Sequence, residues 1–155
     1  ALEQAFTTNK IEDLLNSISS GDADLFQERL VEFVQDSLSF YDFNRKDPER
    51  SYHLFVLGLL AMLKDQYDIT SNRESGMGRY DIMLKPHDPN KLGVIIEIKR
   101  KHKNDASLEA AADKAVAQII EKEYAMELKN CSVKKSVGYG IAFEGKDCVV
   151  RSIEI

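Results

Sequence analysis

The sequence predicts an α/β domain, a mixed central sheet of about five strands flanked by helices and preceded by a helical hairpin. Three observations carry that prediction. Apolar residues recur at the helical period up to Gln66 and again after Ser107, and at the two-residue period of strands elsewhere. The elements run helix, helix, helix, three strands, helix, two strands. A helix between the third and fourth strands is the kind of crossover that parallel neighbours require, so one parallel pair is expected in an otherwise antiparallel sheet.

The first helix is expected over Thr8–Ser20, with Ile11, Leu14, Leu15 and Ile18 at helical spacing and Gly21 as its stop. Asp22 or Asp24 caps a second helix reaching about Leu38, with Leu25, Leu30, Phe33, Val34 and Leu38 as its apolar stripe. Phe40-Tyr41-Asp42-Phe43 is an aromatic connection that stacks on bases or, in the plainer reading, fills a seam between helices. Asp47-Pro48 is a cap followed by a first-turn proline. The helix from Pro48 to Gln66 is apolar nearly all round in its middle and is expected to be central.

Tyr67–Arg73 alternates as a first strand, and Glu74–Gly78 turns the chain. Arg79–Leu84 and Gly93–Lys99 read as the two central strands. Asp105 or Ser107 caps a long helix to about Leu128, with Leu108, Ala112, Ala115, Ile119 and Met126 on its apolar stripe. Lys134–Phe143 and Asp147–Ile155 read as a closing hairpin around Glu144-Gly145-Lys146. By these elements, residues 1–45 form the hairpin and 46–155 the α/β core.

The balance of 43% apolar and 30% charged residues is that of a soluble globular chain. A net charge of −5 argues against a generally cationic nucleic-acid coat. The charge is uneven, though: Arg73–Lys103 holds eight Lys/Arg against four Asp/Glu, so the basic excess falls on one stretch. Cys131 and Cys148 have neither metal-ligand spacing nor a disulfide framework, which suits a reducing, cytoplasmic setting. The longest apolar run, Leu54–Leu63, is too short to span a bilayer, and no membrane partner is expected. The first residues do not resemble a signal peptide, and the chain reads as a piece of a longer protein or a trimmed one.

The candidate chemistry lies on the two central strands. In Gly93–Lys99, Ile95, Glu97 and Lys99 share a face; in Arg79–Leu84, Arg79, Asp81 and Met83 do. A hairpin centred on Pro89 would set Asp81 directly opposite Glu97. Facing carboxylates repel by about 0.2–1 kcal/mol when exposed, and more when buried. A hard divalent cation turns that repulsion into binding. Lys99, about 7 Å further along the same face, reaches a phosphate oxygen or a water beside such an ion.

Asp81 followed by Glu97-Ile98-Lys99 resembles the PD-(D/E)XK nuclease superfamily, with its restriction-endonuclease-like fold. Ser51-Tyr52-His53-Leu54-Phe55-Val56-Leu57-Gly58-Leu59-Leu60 with Ser71-Asn72-Arg73-Glu74-Ser75-Gly76-Met77-Gly78-Arg79-Tyr80-Asp81 resembles one branch more closely. That branch is the C-terminal nuclease-like domain of bacterial and archaeal AAA-ATPase-like proteins. The similarity runs from about Leu14 to the end of the chain. It implies a metal-dependent phosphodiesterase acting on nucleic acid, DNA foremost, with an N-terminal ATPase-like region as partner. It also implies that Asp81, Glu97 and the Ile98 carbonyl hold Mg²⁺ or Mn²⁺, with Lys99 acting on the attacking water and the phosphate.

In similar domains a Gln lies near the metal, which singles out Gln118, and the preceding helix supplies an acid, for which Glu49 is the candidate. His53 either takes that acid's place or is an ordinary core histidine. Arg73, Arg79, Arg100 and Lys101 are the expected phosphate contacts, although a run such as Arg100–Lys103 is often only a solvated loop. Two alternatives stay open: a non-catalytic recognition module for nucleic acid or a protein partner that retains the fold, and a purely structural network of Asp81, Glu97 and Lys99.

Overall fold

The computed structural model describes residues 2–37, 48–71, 81–122 and 125–155. The expected aromatic connection Phe40–Phe43, the Asp47 cap, Arg73, the Glu74–Gly78 turn and Arg79 lie outside the described residues. The described elements are helices α1 (Leu2–Ser20), α2 (Ala23–Ser37) and α3 (Pro48–Leu60), strands β1 (Tyr67–Ser71), β2 (Ile82–Pro86) and β3 (Gly93–Arg100), helices α4 (Leu108–Glu121) and α5 (Ala125–Asn130), and strands β4 (Ser136–Glu144) and β5 (Asp147–Glu154). The five strands form one sheet in chain order, antiparallel except for the parallel β3–β4 pair. The mixed α/β fold with its one crossover is therefore as the sequence predicts.

The hairpin is closed by local chemistry. Gly21 takes φ +80° and the Asp22 N–H reaches back to Ser17 O, which satisfies a carbonyl at the end of α1. Asp22 then caps α2 by accepting from the Leu25 N–H at 3.1 Å. Leu14 and Ile18 on α1, with Phe26, Leu30 and Val34 on α2, are buried against one face of the sheet. Phe26, spaced four residues from Leu30, enters the core where Leu25 was expected; Leu25 is half-buried. The Tyr139 hydroxyl on β4 donates to Ile18 O at 2.8 Å, and Phe26 meets its ring edge-on. Gln27 Oε1 accepts from the Val150 N–H of edge strand β5, so α2 covers part of that edge.

Three features differ from expectation. α3 gives way at Leu60 to a single 3₁₀ turn, Ala61–Leu63, which swings the chain into β1. α3 is also less enclosed than its composition suggests, since Leu54 remains 54% exposed while Tyr52, His53, Val56, Leu59 and Leu60 are buried. The expected long helix after Ser107 is two helices, with Lys122 as the C-cap of the first. No glycine or proline marks that break; α5 instead redirects Leu128 into a small core with Met83, Ile95, Ile119 and Val133. Met126 is consequently exposed and not part of a buried stripe. Among the described residues no helix is long and apolar enough to cross a membrane.

β4 alternates in size. Val137, Tyr139, Ile141 and Phe143 fill the core under α1–α3, while Gly138, Gly140 and Ala142 face α4. A Cβ at Gly140 would stand 2.6 Å from Ala112 O and 2.8 Å from Val116 N, both helix backbone. α4 meets this strip with its own small residues, Ala111, Ala112 and Ala115. Gly140→Ala is expected to lower stability by about 1–3 kcal/mol, because the backbone contact cannot yield without shifting the helix. Gly58→Ala, with no atom within 4 Å of its new methyl, should raise stability by about 0.4–1 kcal/mol. Urea midpoints of the two variants should move in opposite directions.

Candidate active site

The β2–β3 register pairs Ile82 with Ile96, Met83 with Ile95 and Leu84 with Val94, which is the hairpin centred on Pro89. Asp81 immediately precedes β2, one step beyond the Ile82–Ile96 pair, where the ladder points it toward Glu97. Its Oδ2 accepts from the Ile98 N–H at 2.6 Å. Its Oδ1 faces His53 Nδ1 at 4.0 Å. Met83 and Ile95 pack together on the side of the sheet that α4 and α5 cover, so strand alternation carries Glu97 and Lys99 to that same side.

Glu97 is 6% exposed, and its Oε2 is buried without a hydrogen-bond partner among the described residues. The parallel register sets it beside Gly140, whose missing side chain lets α4 close over it. Burial foremost, and then the Asp81 charge, push its pKa from the usual 4.5 up to about 8, against the opposing pull of Lys99 and Lys122. Gln118 projects from α4 with its Oε1 also buried and unpartnered.

Beside this pair opens a cleft of about 360 Å³, lined among the described residues by Glu49, Lys99, Arg100, His102, Asp105, Lys114, Gln118 and Glu121, with small α4 residues. Glu49, on the first turn of α3, thus meets Lys99 and Gln118 there. His53, one turn further along α3, is buried and bonds Ser71 Oγ through Nε2 at 2.7 Å. Lys101 is not brought into this lining; it pairs with Glu144 at 3.3 Å. Arg73 and Arg79 fall outside the described residues.

Three side chains near the site were not singled out from sequence. Lys114 and Lys122 flank Gln118 at four-residue spacing, so one helix face carries all three, and that spacing was a readable signal. Asp105 was read as a candidate cap, but Ser107 caps α4, accepting from the Ala110 N–H. Asp105 is instead buried, accepting from the Lys114 ammonium and the His102 N–H, and the Lys114 bond above all holds its carboxyl below the usual range. It fixes the loop after β3 against α4.

Comparison with known protein families matches residues 47–153 to the PD-(D/E)XK nuclease superfamily. The chain belongs to that superfamily. No curated protein matches it. The match spans α3, the whole sheet and α4, and so includes every described residue placed above at the site.

Nucleases of the PD-(D/E)XK superfamily generally use divalent metals. Among the described residues no group of three or more His, Cys, Asp and Glu side chains converges as a metal cage. The donors brought together are the carboxylates of Asp81 and Glu97, hard oxygen ligands of the kind preferred by Mg²⁺ and Mn²⁺ over softer metals. The partnerless buried Oε2 of Glu97 and the raised pKa of its carboxyl fit a position where a cation would replace a proton.

The raised pKa has a stability consequence with a definite sign. Glu97 holds a proton in the folded state that the unfolded chain releases near pH 4.5. Its contribution is therefore full below that value and declines as pH rises toward about 8. In metal-free buffer, Glu97→Gln is expected to flatten this decline, so that the variant melts above the wild type on the alkaline side of pH 8 and gains less in acid. Melting temperatures of both proteins across that range check it.

Proposed function

We propose that this domain is a divalent-metal-dependent phosphodiesterase acting on nucleic acid, with DNA as the first substrate to test. The observation that carries the reading is the buried carboxylate of Glu97, with one oxygen lacking a donor, beside Asp81 and with Lys99 on the adjoining cleft. Superfamily membership supports it. Asp81, Glu97 and the Ile98 carbonyl would hold Mg²⁺ or Mn²⁺. Such an ion supplies Lewis-acid polarisation of a phosphate oxygen and a more acidic water.

The chain's own groups do the rest. The Lys99 ammonium orients the attacking water and offsets charge that grows on the phosphate. Gln118 offers an amide at the same wall, and Glu49 adds a carboxylate at the cleft. Arg100 meets the phosphate backbone there, together with Arg73 and Arg79 by their resemblance to the family pattern. Lys101 joins them only by leaving Glu144, a surface pairing worth about 0–1 kcal/mol.

We further infer that the domain works beside an AAA-ATPase-like region of a longer cytoplasmic protein. The support is the likeness of Ser51–Leu60 and Ser71–Asp81 to that branch, together with two cysteines that form no disulfide.

Three measurements test the enzyme. Mg²⁺ or Mn²⁺ at millimolar concentration should raise the melting temperature of the wild type, and Asp81→Asn should abolish the rise. Lys99→Ala should slow metal-dependent cleavage by about a hundredfold while barely weakening binding. Arg100→Ala should instead weaken binding and flatten its salt dependence, with cleavage recovered at high substrate. Binding without cleavage under any metal would make the domain a recognition module.

A further inference from the structure

We propose that His53, anchored by Ser71, is a positioning residue for Asp81, and so sets how tightly the site takes a divalent cation. The proposal rests on the reading of Asp81 as a metal ligand, but its evidence is separate.

A carboxylate on the segment just outside a strand has a free torsion about Cα–Cβ and another about Cβ–Cγ. A ligand that must meet a cation within tenths of an ångström needs both fixed. One oxygen of Asp81, Oδ2, is fixed by the Ile98 N–H at 2.6 Å. A hydrogen bond at one oxygen does not by itself set the plane of a carboxylate. The other oxygen, Oδ1, faces His53 Nδ1 at 4.0 Å.

His53 is itself a stiff support. It is 3% exposed, on the face of α3 that packs into the main core between Tyr52 and Val56. Its Nε2 lies 2.7 Å from Ser71 Oγ at the end of β1. With Asp81 ionised, as a metal ligand must be, the imidazole proton sits on Nδ1, toward the carboxylate, and Nε2 accepts from the Ser71 hydroxyl. The Ser71 hydroxyl, able to donate as well as accept, accommodates the tautomer that presents a donor to Asp81 and anchors the ring. α3 thus faces the carboxylate that precedes β2, and the end of β1 stands behind α3 through the Ser71 bond to His53.

A core histidine needs none of this. Burial alone would be satisfied by any hydrogen bond to its ring, and nothing in packing requires the second nitrogen to face a carboxylate. Glu49, four residues earlier on the same helix, lines the cleft on the Lys99 side. α3 thus addresses the site twice from one face, through an acid at the cleft and an imidazole behind Asp81.

Partners of this kind, which orient a ligand without touching the metal, change metal affinity by about 10- to 100-fold when removed. The test is Mn²⁺ titration of the intact chain, following the free-ion electron paramagnetic resonance signal well below the melting temperature. Wild type, His53→Ala, His53→Asn and Ser71→Ala are compared, with circular dichroism reporting the folded fraction of each. Asn keeps an amide donor close to the position of Nδ1.

The expected result is a loss of Mn²⁺ affinity of about 10- to 100-fold in His53→Ala, a smaller loss in Ser71→Ala, and recovery in His53→Asn. Unchanged affinity in folded Ser71→Ala, and in whatever fraction of His53→Ala is folded, with only the melting temperature of His53→Ala lowered, overturns the proposal and leaves His53 a core residue. Ser71 is exposed, so its variant keeps the test open should His53→Ala fail to fold. Absence of Mn²⁺ binding by the wild type is a different outcome, since it removes the metal reading of Asp81 itself and with it this role for His53.

Discussion

The close approach of α4 to β4 governs the rest of this domain. Two backbones come together because the strand presents nothing larger than a methyl there, at Gly138, Gly140 and Ala142, while the helix brings Ala111, Ala112 and Ala115, with Val116 and Ile119 filling the space over the two glycines. The consequence for chemistry comes through register. Gly140 is the parallel partner of Glu97, so the position that lets the helix down is the one beside the carboxylate. The helix that seals the core on that side also strips water from Glu97 and brings Gln118 to the adjoining cleft. Burial and site formation are one packing event.

That event creates an electrostatic imbalance that the protein alone does not resolve. Asp81 has a backbone donor at one oxygen, whereas Glu97 has a buried oxygen with none. Lys99 and Lys122 relieve the repulsion, but burial and the neighbouring carboxylate outweigh them, and the proton stays on Glu97 to an unusually high pH. Holding like charges at this separation costs stability that better-packed apolar residues would not. The expense falls at a place where oxygens, an ammonium and an open cleft meet, as expected of a site shaped for a ligand.

Much of this was legible in the sequence because it depends on short-range rules. The hairpin about Pro89 could be centred by symmetry, since its loop residues have no second apolar strand to slip against. Gly21 and Gly145 occupy positive-φ turns, and Ser107 caps α4, because those residues satisfy backbone geometry by themselves. What was not legible depends on tertiary contact. The α4–α5 break carries no breaker residue and follows from where Leu128 must go. Lys101 follows a strand that ends in alternation, but the Glu144 across the sheet decides where it points. The size alternation of β4 was visible as Val-Gly-Tyr-Gly-Ile-Ala-Phe, yet its meaning needs the helix that lies on the small side. Lys114 and Lys122 were within reach of a helical-spacing argument from Gln118.

The attachment of the N-terminal hairpin bears on how this domain can be handled and inherited. The family match begins at residue 47, but Leu14, Ile18, Phe26, Leu30 and Val34 belong to the same apolar cluster as Val94, Ile96 and Tyr139. A chain cut at the family boundary would bare that cluster and, with Gln27 gone, the outer rim of β5. Open strand rims recruit other strands, so such a fragment would precipitate rather than work. Expression designs, domain transplants and gene fusions that retain the family domain therefore have to carry the hairpin along with it.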